Sequence, residues 1–553
     1  MMKRKIIAVL LICILAASVL SGCGVKSSKD SVTALFGPEP STIDPGLMQT
    51  VDAATYAVHL FEGLVRDNHG KFEPGVAKSW DVSKDFKTYT FHLRDNARWS
   101  DGQPVKAQDF EYAWKRNLNP ETASPYAYIM YYIQGGAEYN SHTQKEDATD
   151  EEKKAYETEH KKLEDNVKVK AADDKTLEVT LVAPVSFFLE LTANQPTFMP
   201  LRKDTIEANK ETWTQSPSTY LTNGAYKLKE WKHNDEILVE KNDNYWDKNR
   251  IVLKNIHFKL MDDVNAALSA TEAGEIDVNY AHVPMAEIPR LEKEGKAKIY
   301  PDLAIYFYEF NTTKAPFDNP KVRKAVALAI DRQYIVDKVT MAYQKPAVGF
   351  VPYGFPDPIA KKDFREADPA KYLPETANVA EAKKLLAEAG YPDGKGFPEI
   401  EFIYNTNDSI KKIAEAVQEQ LKTNLGISMK LANMEWAVYF EALSKQEFDL
   451  SSSGFGADYS DPMSFIDLYI SEIGNSFSGW SNAEYDKLVE TAKNTDDQKV
   501  RFESMHKAEK LLMDEMPILP LYFYTKTIME PEKLKNTYKA PTGLYFFHDA
   551  YLE

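Results

Sequence analysis

Cysteine is nearly absent from this 553-residue chain, which has only Cys13 and Cys23. Cys13 sits inside an apolar run near the start, so the remainder has neither a disulfide framework nor a CxxC site. The ten histidines form no HxH and no HExxH, so no metal site and no cofactor is expected. Positive charge is also scarce, with 67 Lys and Arg against 84 Asp and Glu and a net charge of −17. That balance excludes nucleic acid as a natural partner and argues against adsorption to anionic lipid. The apolar run from Ile6 to Leu20 is short of the ~20 residues that a spanning helix needs.

Enzyme signatures are weak. Gly474-Asn475-Ser476-Phe477-Ser478 lacks the closing glycine of a nucleophile elbow. GYPDGKG, residues 390 to 396, has neither the spacing nor the Ser/Thr of a phosphate loop. Asp458 and Asp461 could pair as carboxylates, but a Pro-containing loop does not set the separation that glycoside hydrolysis requires. An exported hydrolase remains an alternative with little support.

What the chain does have begins at its start. Lys3, Arg4 and Lys5 precede the apolar run, and small residues follow it, the order of a secretion signal over residues 1–22. Leu20-Ser21-Gly22-Cys23 resembles a bacterial lipobox, which implies cleavage before Cys23 and lipid on its thiol. One acyl chain holds weakly and two hold stably, so a diacylglycerol there would retain the protein at the outer face of the cell membrane. Residues 23–31 read as a short polar tether, with folded structure from about Val32. A chain this long can bury large cores and should divide into two or more domains.

Strands and helices are interleaved without a fixed repeat, an α/β pattern that excludes solenoids and propellers. TYTFHLR, residues 88 to 94, alternates at period two and predicts a half-buried strand. Ala107 to Arg116 predicts a helix with Phe110, Ala113 and Trp114 on one face. Residues 145 to 166 are almost wholly polar and predict a solvated helix or surface excursion. Leu177 to Val182 predicts another strand, Asn223-Gly224 with 225 to 240 a hairpin, and Val322 to Ile330 and Val379 to Ala389 amphipathic helices. The 31 tyrosines suit either half-buried packing or surfaces that close on something wet.

One stretch stands out. GFGADYSDPMSF, residues 454 to 465, places Asp458 behind two glycines and a phenylalanine with no basic residue nearby. That carboxylate could be a general acid or base, part of a metal site, or an anchor for a positively charged ligand.

Blocks in order along the chain resemble the oligopeptide-binding proteins of bacterial ABC importers. They include FEGLVRD (61–67), the WSDGQPV block within 91–116, ETASPYAY (121–128), EKNDNYWDK (240–248), NMEW (433–436), GADYSDPMSF (456–465) and DEMPILPLYFY (514–524). The lipobox is similar to that of Gram-positive members. The resemblance implies a two-lobed periplasmic-binding-protein-like fold, closing at a hinge, with an additional domain typical of peptide binders. It places a first lobe at 32–62, 199–300 and 517–553, an accessory domain at 63–198, and a second lobe at 301–516. It further implies binding without catalysis, delivery of peptide to membrane permease subunits, and a monomer. A same-superfamily binder of nickel, haem or a sugar is the alternative.

In the family's motif the aspartate at position 458 holds the peptide's α-ammonium. Gly454 and Gly456 would let the ligand backbone approach. Phe455, where better-known relatives have tryptophan, would cover the first side chain, beside Ala457. Also carried over are Val51 in an opposing strand-like contact, Tyr126 near the amine, Glu309 bordering the cleft, and Trp436 walling a side-chain pocket. Cations that meet the peptide C-terminus in enteric relatives align here with Ser452 and Thr340, leaving Lys445 and Lys345 as the nearest cations, neither aligned with a known role.

Overall fold

The computed structural model describes residues 30–145, 147–280, 282–368, 371–471 and 476–553, apart from the side chain at 437. The expected signal, most of the tether, and Cys23 lie outside the described residues, as do Gly474 and Asn475.

Strand and helix are interleaved, and eleven strands form one twisted sheet. Its first half is built on Ser31–Gly37, which runs parallel to Asn255–Leu260 and to Val278–Tyr280. The hairpin Tyr226–Lys232 and Glu236–Lys241 extends that half by antiparallel pairing. The other half holds Ile400–Asn405, parallel to Met429–Met434 across the helix Asp408–Leu425, and then Leu450–Gly456. That helix buries Ile413, Ala414, Val417, Leu421 and Leu425 along one stripe, the spacing that lays a helix on a sheet. Asn407 caps its start, and Gly426, at φ 71°, ends it in the left-handed conformation that favours glycine.

Two long antiparallel strands, Lys298–Phe310 and Ile518–Met529, join the halves. Pro301 faces Thr525 and Ile305 faces Phe523, so three residues, Asp302 to Ala304, oppose Tyr524 alone. Extra residues on one strand bend it and interrupt the ladder. One of the sheet's register irregularities therefore lies at the crossing between lobes, where a hinge needs compliance.

A separate four-stranded antiparallel layer contains Ala77–Val82, Thr88–Leu93, Val169–Asp173 and Thr176–Thr180. The Thr88 strand alternates as its sequence predicts, with Tyr89, Phe91 and Leu93 buried. Ala107–Leu118 packs Phe110, Ala113 and Trp114 inward, and Trp114 Nε1 donates to Phe198 O at 2.9 Å. Asp150–Asn166 buries none of its side chains, as its polarity requires. The WSDGQPV block is architectural: Trp99 is fully buried and donates to Asp109 at 2.9 Å.

This layer is welded to the first half of the sheet. Buried Glu62 accepts from Tyr245 O–H and from Trp246 Nε1, the latter at 2.6 Å. Arg66 pairs with Asp247 at 2.7 Å, and the Arg94 guanidinium lies 3.4 Å over the Trp246 ring. A two-pronged Arg116–Asp44 pair adds a second tie. Charged groups paired in this way hold the interface together. The layer's contacts with the other half are of a different kind, described below.

Candidate ligand cleft

The strand Leu450–Gly456 pairs along its length with Ala304–Phe310. On its other side only Leu450 and Ser451 are paired, with Phe402 and Ile403. Tyr439 O–H donates to the Ser452 carbonyl. From Ser453 to Gly456 that edge carries no strand among the described residues, so it offers main-chain groups for a further strand. Gly454 and Gly456 are exposed at this edge and leave it without side-chain cover.

A cavity of about 390 Å³ opens beside the edge, within the ~300–1,000 Å³ usual for small ligands. Gly454, Phe455, Gly456, Ala457 and Asp458 form one wall; Val51, Tyr126, Gln195 and Leu544 contribute to the opposite side. Phe455 is held edge-on against Phe465, with centroids 5.1 Å apart, and Ala457 is buried. Val51 lies there for a reason other than the one its sequence suggested. It opens the helix Val51–Leu60, capped by Thr50, whose hydroxyl accepts from Ala53 N. The cap turns an expected extended contact into a helix N-terminus, with Val51 exposed toward the cavity.

Asp458 is held from three directions. Its N–H donates to Ser464 Oγ at 2.9 Å, its carbonyl accepts from Gln195 Nε2, and its Oδ2 accepts from Tyr128 O–H at 2.8 Å. The carboxylate keeps part of its surface open to the cavity, yet the protein around it is dense. Burial pushes its pKa up to about 7, with the Tyr128 hydrogen bond acting in the opposite direction. The charge of Asp458 in turn raises the Tyr126 phenol. Asp461, three residues on, receives two hydrogen bonds from Arg501 at 2.8 and 2.9 Å. Asp458 has no cation among the described residues. The two acids of this loop are therefore unlike: one is neutralised within the fold, and the other faces a cavity with its charge unanswered.

Glu309 and Trp436 fall outside this cavity. Glu309 is buried opposite Ser451 and accepts from Tyr469 O–H at 2.9 Å, with Ser476 Oγ and Phe477 N also donating at 3.3 Å. Burial pushes its pKa up to about 7. Trp436 begins the helix Trp436–Ser444 and is 61% exposed; its ring lies 6.1 Å from Tyr439. Ser476 and Ser478 lie 2.7 Å apart, and among the described residues no histidine is a hydrogen-bond partner of either; Gly474 and Asn475 of the weak nucleophile motif lie outside the described residues. Of the two cations noted from the sequence, Lys445, just past the helix Trp436–Ser444, pairs with Glu441 four residues earlier, and Lys345 lies over Tyr353. Thr340 is buried against Gln344.

Tyr128 and Gln195 are functional candidates that sequence reasoning missed. Tyr128 stands two residues beyond Tyr126 in SPYAY, a repeat that could have drawn notice. Gln195 follows the helix Phe188–Asn194 and carries no local signal. No group of three or more His, Cys, Asp or Glu among the described residues is placed to hold a metal. A larger groove, about 950 Å³, borders the hinge between 298–303 and 528–541. Its Lys298–Glu530 and Lys539–Asp302 pairs answer one another, unlike Asp458.

The model of the bacterial extracellular solute-binding proteins, family 5, matches residues 71–477. The chain belongs to this family. The dipeptide-binding protein DppE of Bacillus subtilis is 40% identical over 509 residues, covering 91% of this chain and 89% of that protein. Among solved structures, Haemophilus influenzae OppA in complex with RPPGFSPFR covers 95% of this chain and 99% of its own. It has 31% identity and a TM-score of 0.79. The unliganded open form of the murein tripeptide binding protein MppA gives a TM-score of only 0.69 at 32% identity, covering 95% of this chain and 98% of its own. This family member therefore superposes better on a peptide complex than on an open, empty relative, in keeping with the contacts that close its cleft.

Proposed function

We propose that this protein binds peptides in the interlobe cleft and delivers them to the permease of an ABC importer. The observation that carries the reading is Asp458, a carboxylate with no cation partner among the described residues, beside a strand edge unpaired among them and a cavity. An extended peptide supplies what both lack. Its backbone adds a strand along Ser453–Gly456, and its α-ammonium, with pKa near ~8, supplies the counter-charge. Backbone pairing does not read side chains, so binding is tolerant of sequence, with Tyr126, Phe455, Ala457 and Val51 bordering the first residue. Relatives named as dipeptide- and oligopeptide-binding proteins support the same reading.

The protein acts outside the cytoplasm, in keeping with its family, as a binder without turnover. In our reading it is a monomer tethered by lipid on Cys23, with lobes 32–62, 199–300 and 517–553 against 301–516, and 63–198 as the accessory domain. Glu309 supports the cleft from beneath, and Trp436 stands at its outer margin, where a longer ligand would pass. Native mass spectrometry of protein purified without denaturation tests the function. Co-purified peptides are expected; a bound metal, haem or sugar in their place, or steady release of cleaved fragments, would overturn it.

A further inference from the structure

The accessory layer grips the loop that carries Asp458 residue by residue. Gln195 takes the carbonyl of Asp458, and Tyr128 takes its carboxylate. The Phe187 ring stacks on Tyr459, with centroids 3.9 Å apart and planes within 9°. Glu190 accepts from both the N–H and the hydroxyl of Ser460, at 2.9 and 2.8 Å. The loop belongs to the lobe opposite the one to which the layer is welded, so these contacts exist only while the cleft is closed.

Among them the Tyr128 bond is distinctive, because it alone touches the group that would meet the ligand. Main-chain bonds to Ser464 and Gln195 fix the backbone of Asp458 and leave its side-chain torsions free. Asp458 also lines a second cavity, about 220 Å³, walled by Tyr128, Tyr131, Tyr132, Leu468 and Ile470, none of which lines the ligand cavity. An unanchored carboxylate has two spaces to point into. The 2.8 Å bond from Tyr128 ties Oδ2, while Oδ1 accepts no hydrogen bond among the described residues. We propose that Tyr128 is a positioning residue for the ammonium site: its hydroxyl, delivered across the closing interface, orients the Asp458 carboxylate toward the peptide cavity and stabilises it as the anion. The proposal rests on the reading that Asp458 holds the peptide amine.

The surroundings leave this task to Tyr128. Asp461 is neutralised by Arg501, and Asp467 by Lys493 at 2.7 Å. Glu190 is engaged with Ser460, and Tyr132 donates to Asp467 at 3.0 Å with Tyr459 3.1 Å away. Tyr126 lies with its ring 5.6 Å from that of Tyr128. Tyr128 is the only hydrogen-bond donor to the Asp458 carboxylate among the described residues. A donor to a carboxylate favours its ionised form. Tyr128 thus offsets part of the cost that burial on closure imposes on the charge the ligand needs, and the accessory layer is part of the binding site.

The test is calorimetric titration of Tyr128→Phe and of the parent with one free-amine peptide between pH 5 and 8, using protein stripped of co-purified ligand. Loss of a hydrogen bond to a charged group should weaken binding roughly 10-fold near neutrality. The acid limb of the affinity profile should move up by about one pH unit, and the loss should grow as pH falls. An equal loss at every pH, with the limb unmoved, would mean that Tyr128 only packs, and would overturn the proposal. In an Asp458→Asn background the same substitution should cost little more; a full further loss there would overturn it as well. N-acetylated peptide, which lacks the ammonium, should barely distinguish Tyr128→Phe from the parent, so a misfolded variant reveals itself by losing that ligand too. Should Asp458→Asn leave free-amine binding unchanged, the amine reading itself fails. Should Asp458→Asn matter while the acid limb of Tyr128→Phe stays in place, only the role of Tyr128 fails.

Discussion

Replacing Asp458 by Asn keeps the side chain's shape and removes its charge, leaving an enclosed ammonium without its counter-ion. At about 4 Å and an effective dielectric near 20, that attraction is about 4 kcal/mol. Breaking a buried charged pair from one side typically costs ~2–5 kcal/mol, so affinity for a free-amine peptide should fall roughly 30-fold to several thousand-fold. The pH dependence follows from burial. In the empty closed form the Asp458 carboxyl titrates at about 7, raised from 3.8, so closing without ligand takes up a proton. That closed empty state is favoured at acid pH and loses stability as pH rises from the ordinary carboxylate value through about 7. An arriving ammonium supplies the missing cation and lowers the carboxyl's pKa again. Affinity should therefore decline on the acid side as Asp458 is protonated, and above ~8 as the amine loses its proton. The decisive assay is calorimetric titration of parent and Asp458→Asn with free and N-acetylated forms of one peptide. Both changes remove one interaction, so acetylation should cost the variant far less than the parent. Equal cost in both would refute the ammonium anchor and leave Asp458 as a loop contact.

Other expectations follow from the same geometry. Glu190, whose carboxyl burial pushes up to about 7 at the closing interface, disfavours closure once ionised; Glu190→Gln should close more readily above pH 7, seen as slower peptide release, and faster release would contradict this. Glu509 is fully buried, pairs with Arg365 and accepts from Phe350 and Val351 N–H at 2.9 Å each. Glu509→Gln should destabilise by ~3–5 kcal/mol, read as a lower urea midpoint, and an unchanged midpoint would show the pair to be dispensable. Small-angle scattering should give a smaller radius of gyration when peptide is added to stripped protein, and no change despite proven binding would count against hinge closure. Cys23→Ala should release the protein from membranes, whereas unaltered membrane partition would exclude the thiol as the anchor.

Much of the fold was legible in the sequence, because local periodicity reports which face of an element is buried. The alternation in TYTFHL, the stripe of Phe110, Ala113 and Trp114, and the polar run ending at Asn166 each found the expected burial. The order of family blocks likewise announced a two-lobed binder, and GADYSDP singled out Asp458. Other features depended on pairings that no local pattern encodes. Asp458 and Asp461 look alike in the chain; only folding brings Arg501, 40 residues away, onto one of them and leaves the other without a cation among the described residues. Val51 reads as extended until Thr50 caps a helix there, and that Trp436 is 61% exposed follows from the helix it opens. Tyr128 meets Asp458 across 330 residues of sequence. The sequence by itself determined many of the elements, their buried faces and the acid at the centre of the proposed site. Tertiary structure decided which charges are answered, since neutralisation requires two side chains within a few ångströms and that proximity arises only when separate segments pack together.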